Sequence, residues 1–264
     1  PEAAPVMQNL DTQVAWPYPR WIAHRGAGKL APENTLAAFR LGAAHGYRGF
    51  ECDVKLSADS VPFLLHDATL ERTTSGQGTA GDLAWDALSR LDAGSWHSRG
   101  YAGEPLPRLD AIAAYALRNG FALNIEIKPT PGAERRTGEV VGTEVLRLWG
   151  AQPQALPPLF SSFQPESLAG ARETAPQVPR ALLLDSLREG WLEEAQGLGC
   201  VAVVCNHKLL DAAVIGRIHA AGLRSLCYTV NDSADARRLE AAGIDGVITD
   251  AVDRFSPAVP GTSD

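Results

Sequence analysis

The sequence predicts an α/β protein whose fold is a closed parallel (β/α)8 barrel, the TIM barrel. Three observations predict it: short apolar runs alternate with amphipathic stretches almost from end to end, the chain has 264 residues, and several apolar runs end in polar residues. Alternation of this kind is typical of a parallel sheet with helical crossovers, and about 250 residues commonly form one such barrel. Polar strand ends favour a barrel over an open sheet, because in a barrel they converge on one mouth.

Eight strands are predicted from the apolar runs. They lie near residues 21–25, 49–55, 121–128, 158–163, 180–185, 200–206, 224–230 and 246–249. Seven helices are predicted between them, several opened by Asp, Ser or Thr and closed by glycine. They lie near residues 35–45, 109–119, 137–149, 165–174, 191–198, 211–221 and 233–242. The closing glycines are Gly46, Gly120, Gly222 and Gly243.

One segment breaks the alternation. After the strand-like run Val61 to Leu65, residues 67 to about 107 contain many turn signals and three aromatic residues. Such a stretch indicates a small inserted subdomain over the barrel mouth. We therefore predict one barrel domain over residues 1–264, with the insertion at about 67–107.

Composition limits the partners of the chain. The formal net charge is −7 and the Lys and Arg residues are scattered, so no basic face is indicated for nucleic acid or an anionic membrane. No apolar run approaches the roughly 20 residues that span a bilayer. We expect a small-molecule substrate, no nucleic acid and no membrane, whereas the oligomeric state is not predicted.

Cysteine usage and the start of the chain bear on its location. The four cysteines have no C-x-x-C spacing and lie mostly in apolar runs, which predicts free buried thiols and a cytoplasmic protein. Residues 1–20 do not have the pattern of an intact signal peptide. Because Met7 is the single methionine, one interpretation is that the natural chain starts there and that Pro1 to Val6 are not native. Processing of a longer precursor is the other interpretation.

Charged residues at predicted strand ends indicate a catalytic edge. Residues i and i+2 of a strand share a face, so Glu51-x-Asp53 and Glu126-x-Lys128 each direct both charges the same way. A third run ends in a His-Arg pair before a glycine-rich loop, and a fourth ends in a histidine. The candidate site residues are His24, Arg25, Glu51, Asp53, His66, Glu126 and Lys128.

These residue types fit phosphate chemistry. Three carboxylates offer only oxygen ligands, which suits a hard divalent ion such as Mg²⁺ or Ca²⁺ rather than zinc. Arg25 and Lys128 could hold the remaining oxygens of a phosphate, the first by its planar fork and the second as a point charge. His24 and His66 would flank the phosphorus as base and acid, because imidazole exchanges protons near neutral pH.

Each residue also has a purely structural interpretation. Glu126 and Lys128 could form a simple ion pair, and His66 could be a hydrogen-bonded core residue. Arg25 could serve only to neutralise Glu33. The joint occurrence favours function, because burying so many ionisable groups without a ligand would leave several desolvation penalties uncompensated.

Seven short motifs follow one another in an order that is typical of a known family. They are His24-Arg25-Gly26, Pro32-Glu33-Asn34-Thr35, Glu51-Cys52-Asp53-Val54, Leu65-His66-Asp67, Leu70-Glu71-Arg72-Thr73, Asn124-Ile125-Glu126-Ile127-Lys128 and Tyr228-Thr229-Val230-Asn231. From about Trp16 to Asp253 the chain resembles the glycerophosphodiester phosphodiesterases. Residues 28–32 and 206–211 are most similar to the bacterial cytoplasmic members associated with glycerol 3-phosphate uptake.

The resemblance implies a barrel with an inserted subdomain that hydrolyses glycerophosphodiesters to sn-glycerol 3-phosphate and an alcohol. It implies a divalent metal, Mg²⁺ or Ca²⁺ with Mn²⁺ as a further candidate, on the three carboxylates. It assigns the two histidines to acid and base, without saying which is which, and the Arg and Lys to the phosphate. Tyr228 stands where many relatives carry Trp, and we expect it to contact the glycerol.

Two other functions stay open at this point. A phospholipase D-like barrel enzyme acting on lipid phosphodiesters would use the same scaffold, but it needs an apolar or basic rim that faces the membrane. A non-catalytic phosphodiester-binding module would keep the barrel and turn nothing over. A turnover assay separates the enzyme from the module.

Overall fold

The computed structural model describes residues 15–257. Its strands are β1 (Trp21–Ala23), β2 (Gly49–Leu56), β3 (Pro62–Leu64), β4 (Ala122–Ile127), β5 (Leu159–Ser162), β6 (Arg180–Leu184), β7 (Ala202–Asn206), β8 (Arg224–Tyr228) and β9 (Gly246–Thr249). Its helices are α1 (Leu36–Ala44), α2 (Trp85–Leu88), α3 (Leu109–Asn119), α4 (Glu134–Gly150), α5 (Pro165–Thr174), α6 (Trp191–Gly197), α7 (Ala212–Ala220) and α8 (Ser233–Ala241). The interpretation of Pro1 to Val6 and Met7 lies outside the described residues.

Eight parallel strands close into a barrel, because β1 pairs with β9 on one side and with β2 on the other. The ring continues through β4 to β8, and every pairing in it is parallel. β3 lies outside the ring and pairs antiparallel with β2. The predicted (β/α)8 barrel is therefore confirmed, and the strand-like run after residue 60 forms this extra strand.

The barrel interior changes from apolar to charged along the strands. Its lower part is filled by a cluster contributed by the ring strands and the segment before β1. The buried members are Tyr18, Ile22, Ala122, Leu159, Ala181, Leu183, Ala202, Val204, Leu226 and Ile248. Nearer the carboxyl ends, the register places Asp53 beside Glu126 and Glu126 beside Ser161. The apolar layers thus form a packed base for a polar mouth.

The helix termini follow the signals in the sequence. Thr35, Asp211 and Asp232 cap α1, α7 and α8, each with a side-chain oxygen that accepts from a backbone N–H of the first turn. Gly120 ends α3 in the left-handed conformation, with φ of 65°. α4 begins at Glu134, earlier than predicted.

The first strand is shorter than predicted. β1 ends at Ala23, and His24 and Arg25 lie in a 3-10 turn. Arg25 has a φ of 55°, in the left-handed region, so it cannot continue a strand. This turn places both side chains at the barrel mouth.

The segment between β3 and α3 packs around a small apolar cluster of its own. The buried members are Phe63, Leu65, Leu70, Ala80, Leu88, Ala93 and Leu106. Three isolated bridges hold the segment, including Thr69 with Thr79 and Asp92 with Pro105. The limits of an inserted subdomain at about 67–107, within a single domain, stay a prediction.

No helix among residues 15–257 is both long enough and apolar enough to cross a membrane.

Candidate active site

Three carboxylates converge at the ends of β2 and β4. Glu51, Asp53 and Glu126 each offer an oxygen, and these atoms lie within 4.8 Å of one another. All three residues are buried. Burial, reinforced by the charge of Asp53, raises the pKa of Glu51 to about 8 and the pKa of Glu126 well above its usual value. A buried all-oxygen cluster under such repulsion is the donor set that a hard divalent cation would neutralise.

Asn34 orients one of these carboxylates. Its side-chain amide donates to Asp53 Oδ2 at 3.0 Å, and its Oδ1 accepts from the Asp53 backbone N–H at 3.1 Å. Asn34 adopts a φ of 58°, a left-handed conformation that asparagine tolerates better than most residues. Although burial opposes it, the hydrogen bond with Glu126 and the charge of Arg25 lower the pKa of Asp53, and the hydrogen bond from Asn34 adds to this effect. Sequence analysis identified Pro32-Glu33-Asn34-Thr35 only as one of the family motifs and gave Asn34 no role.

His24 is held by a carboxylate on one ring nitrogen. Its Nδ1 lies 2.6 Å from Asp250 Oδ1, and its Nε2 lies 3.7 Å from Glu51 Oε2. Burial lowers the pKa of His24, but the hydrogen bond to Asp250 and the charge of Glu51 outweigh burial and raise it. Asn231 fixes Asp250 in turn, by accepting from its backbone N–H at 2.9 Å. Asp250 was missed, although it directly follows the last apolar run, the same signal that identified the other strand-end residues.

His66 is held in the same way. Its Nδ1 lies 2.9 Å from Asp67 Oδ1, and its Nε2 lies 3.4 Å from Lys128 Nζ. Burial, with the charges of Arg25 and Lys128, lowers the pKa of His66. Both histidines therefore have Nδ1 anchored on an aspartate, which leaves Nε2 directed at the mouth.

Two cations border the carboxylates. Arg25 Nη1 donates to Glu33 Oε1 at 3.0 Å, and Arg25 Nε lies 3.5 Å from Asp53 Oδ2. The ion pair with Glu33 does form, but Arg25 also faces the carboxylate cluster. Lys128 follows β4 and makes no direct ion pair with Glu126 in the described structure. The interpretation of Lys128 as the partner of Glu126 in a simple ion pair is therefore not supported.

A second lysine, Lys55, is buried beside His66 and Lys128. Lys55 donates to the backbone oxygen of His66 at 3.2 Å and to that of Lys128 at 3.1 Å. Burial lowers the pKa of Lys55 to about 8. Sequence reasoning missed it, although it follows Asp53 at the i+2 spacing that places both on one face of β2. It ties together the segments that carry His66 and Lys128.

Tyr228 lies at the end of β8, on the same edge of the barrel. Its hydroxyl donates to the Leu184 backbone oxygen at 3.1 Å, and its ring meets Phe163 edge-on with centroids 5.9 Å apart. Phe163 also lines a cavity of about 500 Å³, together with His66 and Lys128, so Tyr228 is separated from this cavity by the Phe163 ring. The expected contact between Tyr228 and glycerol stays a prediction.

Fold and site together define a class of protein. The barrel mouth brings together acidic, imidazole and cationic groups of the kinds that phosphodiester hydrolysis uses, which points to a hydrolase of this class. The chain belongs to the glycerophosphoryl diester phosphodiesterase family, whose profile matches residues 24–254.

Individual relatives span nearly the whole chain. A glycerophosphodiester phosphodiesterase of Caldanaerobacter subterraneus is 31% identical, over 87% of this chain and 93% of its own length. Among solved structures, an Oleispira antarctica phosphodiesterase in complex with the product sn-glycerol-3-phosphate has a TM-score of 0.82 and 35% identity, covering 88% of this chain and 93% of that one. A glycerophosphodiester phosphodiesterase from Agrobacterium tumefaciens has a TM-score of 0.77 and 28% identity, covering 91% and 100%.

Proposed function

We propose that this chain hydrolyses glycerophosphodiesters, such as glycerophosphocholine or glycerophosphoethanolamine, to sn-glycerol 3-phosphate and an alcohol in a metal-dependent reaction. The observation that carries the proposal is the convergence, within one barrel mouth, of a three-carboxylate cluster and two aspartate-anchored histidines. The family and the product named for the Oleispira relative support the glycerol half of the substrate.

Glu51, Asp53 and Glu126 would hold the divalent ion. Their all-oxygen donor set and their burial favour Mg²⁺ or Ca²⁺, with Mn²⁺ as the third candidate. When bound, the ion would supply Lewis-acid polarisation of a non-bridging phosphoryl oxygen.

The other side chains would bind the substrate and move protons. Arg25 and Lys128 would hold phosphoryl oxygens and stabilise the charge that develops on them. One histidine Nε2 would take the proton of the glycerol 2-hydroxyl as its oxygen attacks phosphorus. The second histidine would protonate the oxygen of the departing alcohol as the bond from phosphorus to that oxygen breaks. The aspartate on each Nδ1 keeps Nε2 in the required tautomer and orientation.

Water would then open the cyclic phosphate with the histidine roles exchanged. The new P–O bond comes from water, the bond from phosphorus to the glycerol 2-oxygen breaks, and that oxygen recovers its proton. An attack by the substrate's own hydroxyl is intramolecular, which lowers the barrier by up to roughly 7–11 kcal/mol in well-oriented cases. Tyr228, at the end of β8, would pack on the glycerol.

A coupled assay of glycerol 3-phosphate release tests the proposal. Glycerophosphocholine should be turned over with Mg²⁺, Mn²⁺ or Ca²⁺, and chelation should abolish the activity. Full activity after chelation would remove the metal from the proposal, and no turnover of any glycerophosphodiester with any of these ions would leave only a binding module.

A deoxy substrate tests the intramolecular step. A diester whose glycerol 2-hydroxyl is replaced by hydrogen keeps the phosphate contacts and lacks the nucleophile. It should compete with substrate and remain intact. Its rapid hydrolysis would mean that water attacks phosphorus directly.

The lipid-directed alternative has less support. Among residues 15–257, the large apolar side chains that are exposed are Leu30 and Trp96, which is too few for a broad membrane-facing rim. A small diester is therefore the favoured substrate. A cytoplasmic location stays a prediction, supported by four cysteines that are all free and buried.

A further inference from the structure

Arg72 lies between two residues of the candidate site without contacting the carboxylate cluster. It belongs to the motif Leu70–Thr73, to which the proposed reaction gives no role. Its guanidinium donates to Asp67 from Nε at 2.8 Å and from Nη2 at 2.9 Å. It also donates to Glu33 from Nη1 at 3.0 Å and from Nη2 at 2.8 Å. One planar fork thus bridges two carboxylates from separate parts of the chain.

Each of these carboxylates holds a residue of the mouth. Asp67 Oδ1, which accepts from Arg72, is the same atom that lies 2.9 Å from His66 Nδ1. Glu33 Oε1, which also accepts from Arg72, is the same atom that accepts from Arg25 Nη1 at 3.0 Å. His66 and Arg25 are therefore connected through a continuous run of charge-assisted hydrogen bonds with Arg72 at its centre.

We infer that Arg72 is a positioning residue that fixes His66 and Arg25 relative to each other. Through Asp67 it sets the direction of the His66 ring, and through Glu33 it sets the place of the Arg25 guanidinium. Proton transfer and phosphate binding then depend on one side chain that touches neither proton nor phosphate. The inference rests on the proposed function.

A role in overall stability does not account for this arrangement. The Arg72 side chain is 46% exposed and packs in no apolar cluster of residues 15–257. Exposed ion pairs contribute little to folding, about 0–1 kcal/mol. The bidentate geometry toward both partners instead restricts orientation, and lysine, a point charge, cannot reproduce it.

The first test compares Arg72→Met with a matched control, Arg90→Met, with excess Mg²⁺ in every assay. Arg90 lies in the same segment between β3 and α3, is exposed, and pairs with Asp86. Arg72→Met should lower kcat for glycerophosphocholine roughly tenfold to a hundredfold and weaken sn-glycerol 3-phosphate binding several-fold, as loss of a supporting residue does. Arg72→Lys should recover only part of both losses. Arg90→Met should match the wild type.

Double variants test separately the connection from Arg72 through Glu33 to Arg25 and the connection through Asp67 to His66. If Arg72 acts through Glu33 on Arg25, adding Arg72→Met to Glu33→Gln should not weaken product binding further. If it acts through Asp67 on His66, adding Arg72→Met to Asp67→Asn should not lower kcat further. Non-additivity of this kind is the signature of residues that work through one another.

The outcomes keep the inference apart from the proposed function. Absence of turnover by the wild type defeats the proposed function. Product binding still tests the connection from Arg72 through Glu33 to Arg25. Turnover by the wild type with Arg72→Met equal to Arg90→Met overturns the inference. Additive losses in both double variants also overturn it. So does a kcat loss that disappears when Arg72→Met is assayed well below its Tm, because that result means a role in stability alone.

Discussion

At the scale of single residues, the candidate site is built from pairs in which one side chain holds another. Asp250 holds His24, Asp67 holds His66, and Asn34 holds Asp53. An imidazole with Nδ1 on a carboxylate has a defined tautomer, so its Nε2 is ready for proton transfer. The chemistry proposed for the mouth depends on these supports as much as on the groups that meet the substrate.

The two histidines give the first prediction. His24→Ala and His66→Ala should each lower kcat by roughly 10² to 10⁴, the usual loss for a positioned proton-transfer group, with metal affinity retained. His219→Ala is the matched control, because His219 is also hydrogen-bonded to an aspartate, Asp245, at 2.7 Å but lies on α7. A loss below tenfold for either mouth histidine would reduce it to a positioning or core residue.

Asn34 gives the second prediction, in which two substitutions separate orientation from backbone strain. Asn34→Gly and Asn34→Ala both remove the bonds to Asp53 and should weaken Mg²⁺ binding roughly tenfold or more, measured by titration calorimetry. Asn34→Ala should in addition be less stable than Asn34→Gly by about 1 kcal/mol, because a φ of 58° strains alanine and not glycine. Unchanged metal affinity in Asn34→Gly would show that Asp53 needs no support.

At the scale of elements, the repeating strands and helices could be predicted well from the sequence. The residues that hold the site side chains in place could be predicted poorly. Period-2 and period-3.6 patterns and the caps of α1, α7 and α8 are local signals, which is why the barrel and its strand-end charges could be predicted. Asp250 lies 226 residues from His24, and Asn34 contacts a strand only through a left-handed turn. Asp250 does follow the last apolar run, but no local pattern in the sequence indicates which distant side chain such a residue contacts. The shortened β1 has the same origin, since the left-handed Arg25 is set by the turn it occupies.

The packing of α4 on α5 gives the third prediction. A Cβ at Gly138 would lie 1.9 Å from the Ser167 backbone oxygen, so the two helices approach each other through this glycine. Gly138→Ala should therefore destabilise the protein by about 1–3 kcal/mol, the usual cost of overpacking, and lower Tm by several degrees. Gly216→Ala, in α7 where a Cβ meets open space, should raise stability by up to about 1 kcal/mol. A Tm for Gly138→Ala at or above the wild-type value would contradict this account of the helix pair.

At the scale of the whole molecule, the barrel combines an apolar base that favours folding with a charged mouth that opposes it. The layer below the mouth is built from apolar side chains and Tyr18, whose hydroxyl is hydrogen-bonded, whereas the mouth buries three carboxylates within 4.8 Å of one another. Without a cation this cluster opposes folding, because burial and mutual repulsion penalise its charges. The same three carboxylates are therefore needed for the proposed function and lower the stability of the cation-free protein.

This conflict gives the last prediction. A cation that binds only the folded barrel stabilises it by about 2.7 kcal/mol at a hundred times Kd, which corresponds to a Tm increase of roughly 5–10 °C for a chain of this size. Chelator-treated wild type should show that increase with Mg²⁺, Mn²⁺ or Ca²⁺. Glu126→Gln removes a carboxyl that the folded state must bury either charged or with a raised pKa, so without cation it should be at least as stable as the wild type, and it should lose most of the increase.

Glu166→Gln is the matched control for this last prediction, because Glu166 is an exposed glutamate on α5 whose loss leaves the cluster intact. It should keep the full cation-dependent rise in Tm. No rise in the wild type with any of the three ions would mean that the carboxylates do not form a metal site. A Glu126→Gln variant that is much less stable than chelated wild type would mean that Glu126 supports the fold. Removing a carboxyl that burial and repulsion penalise should instead stabilise the protein.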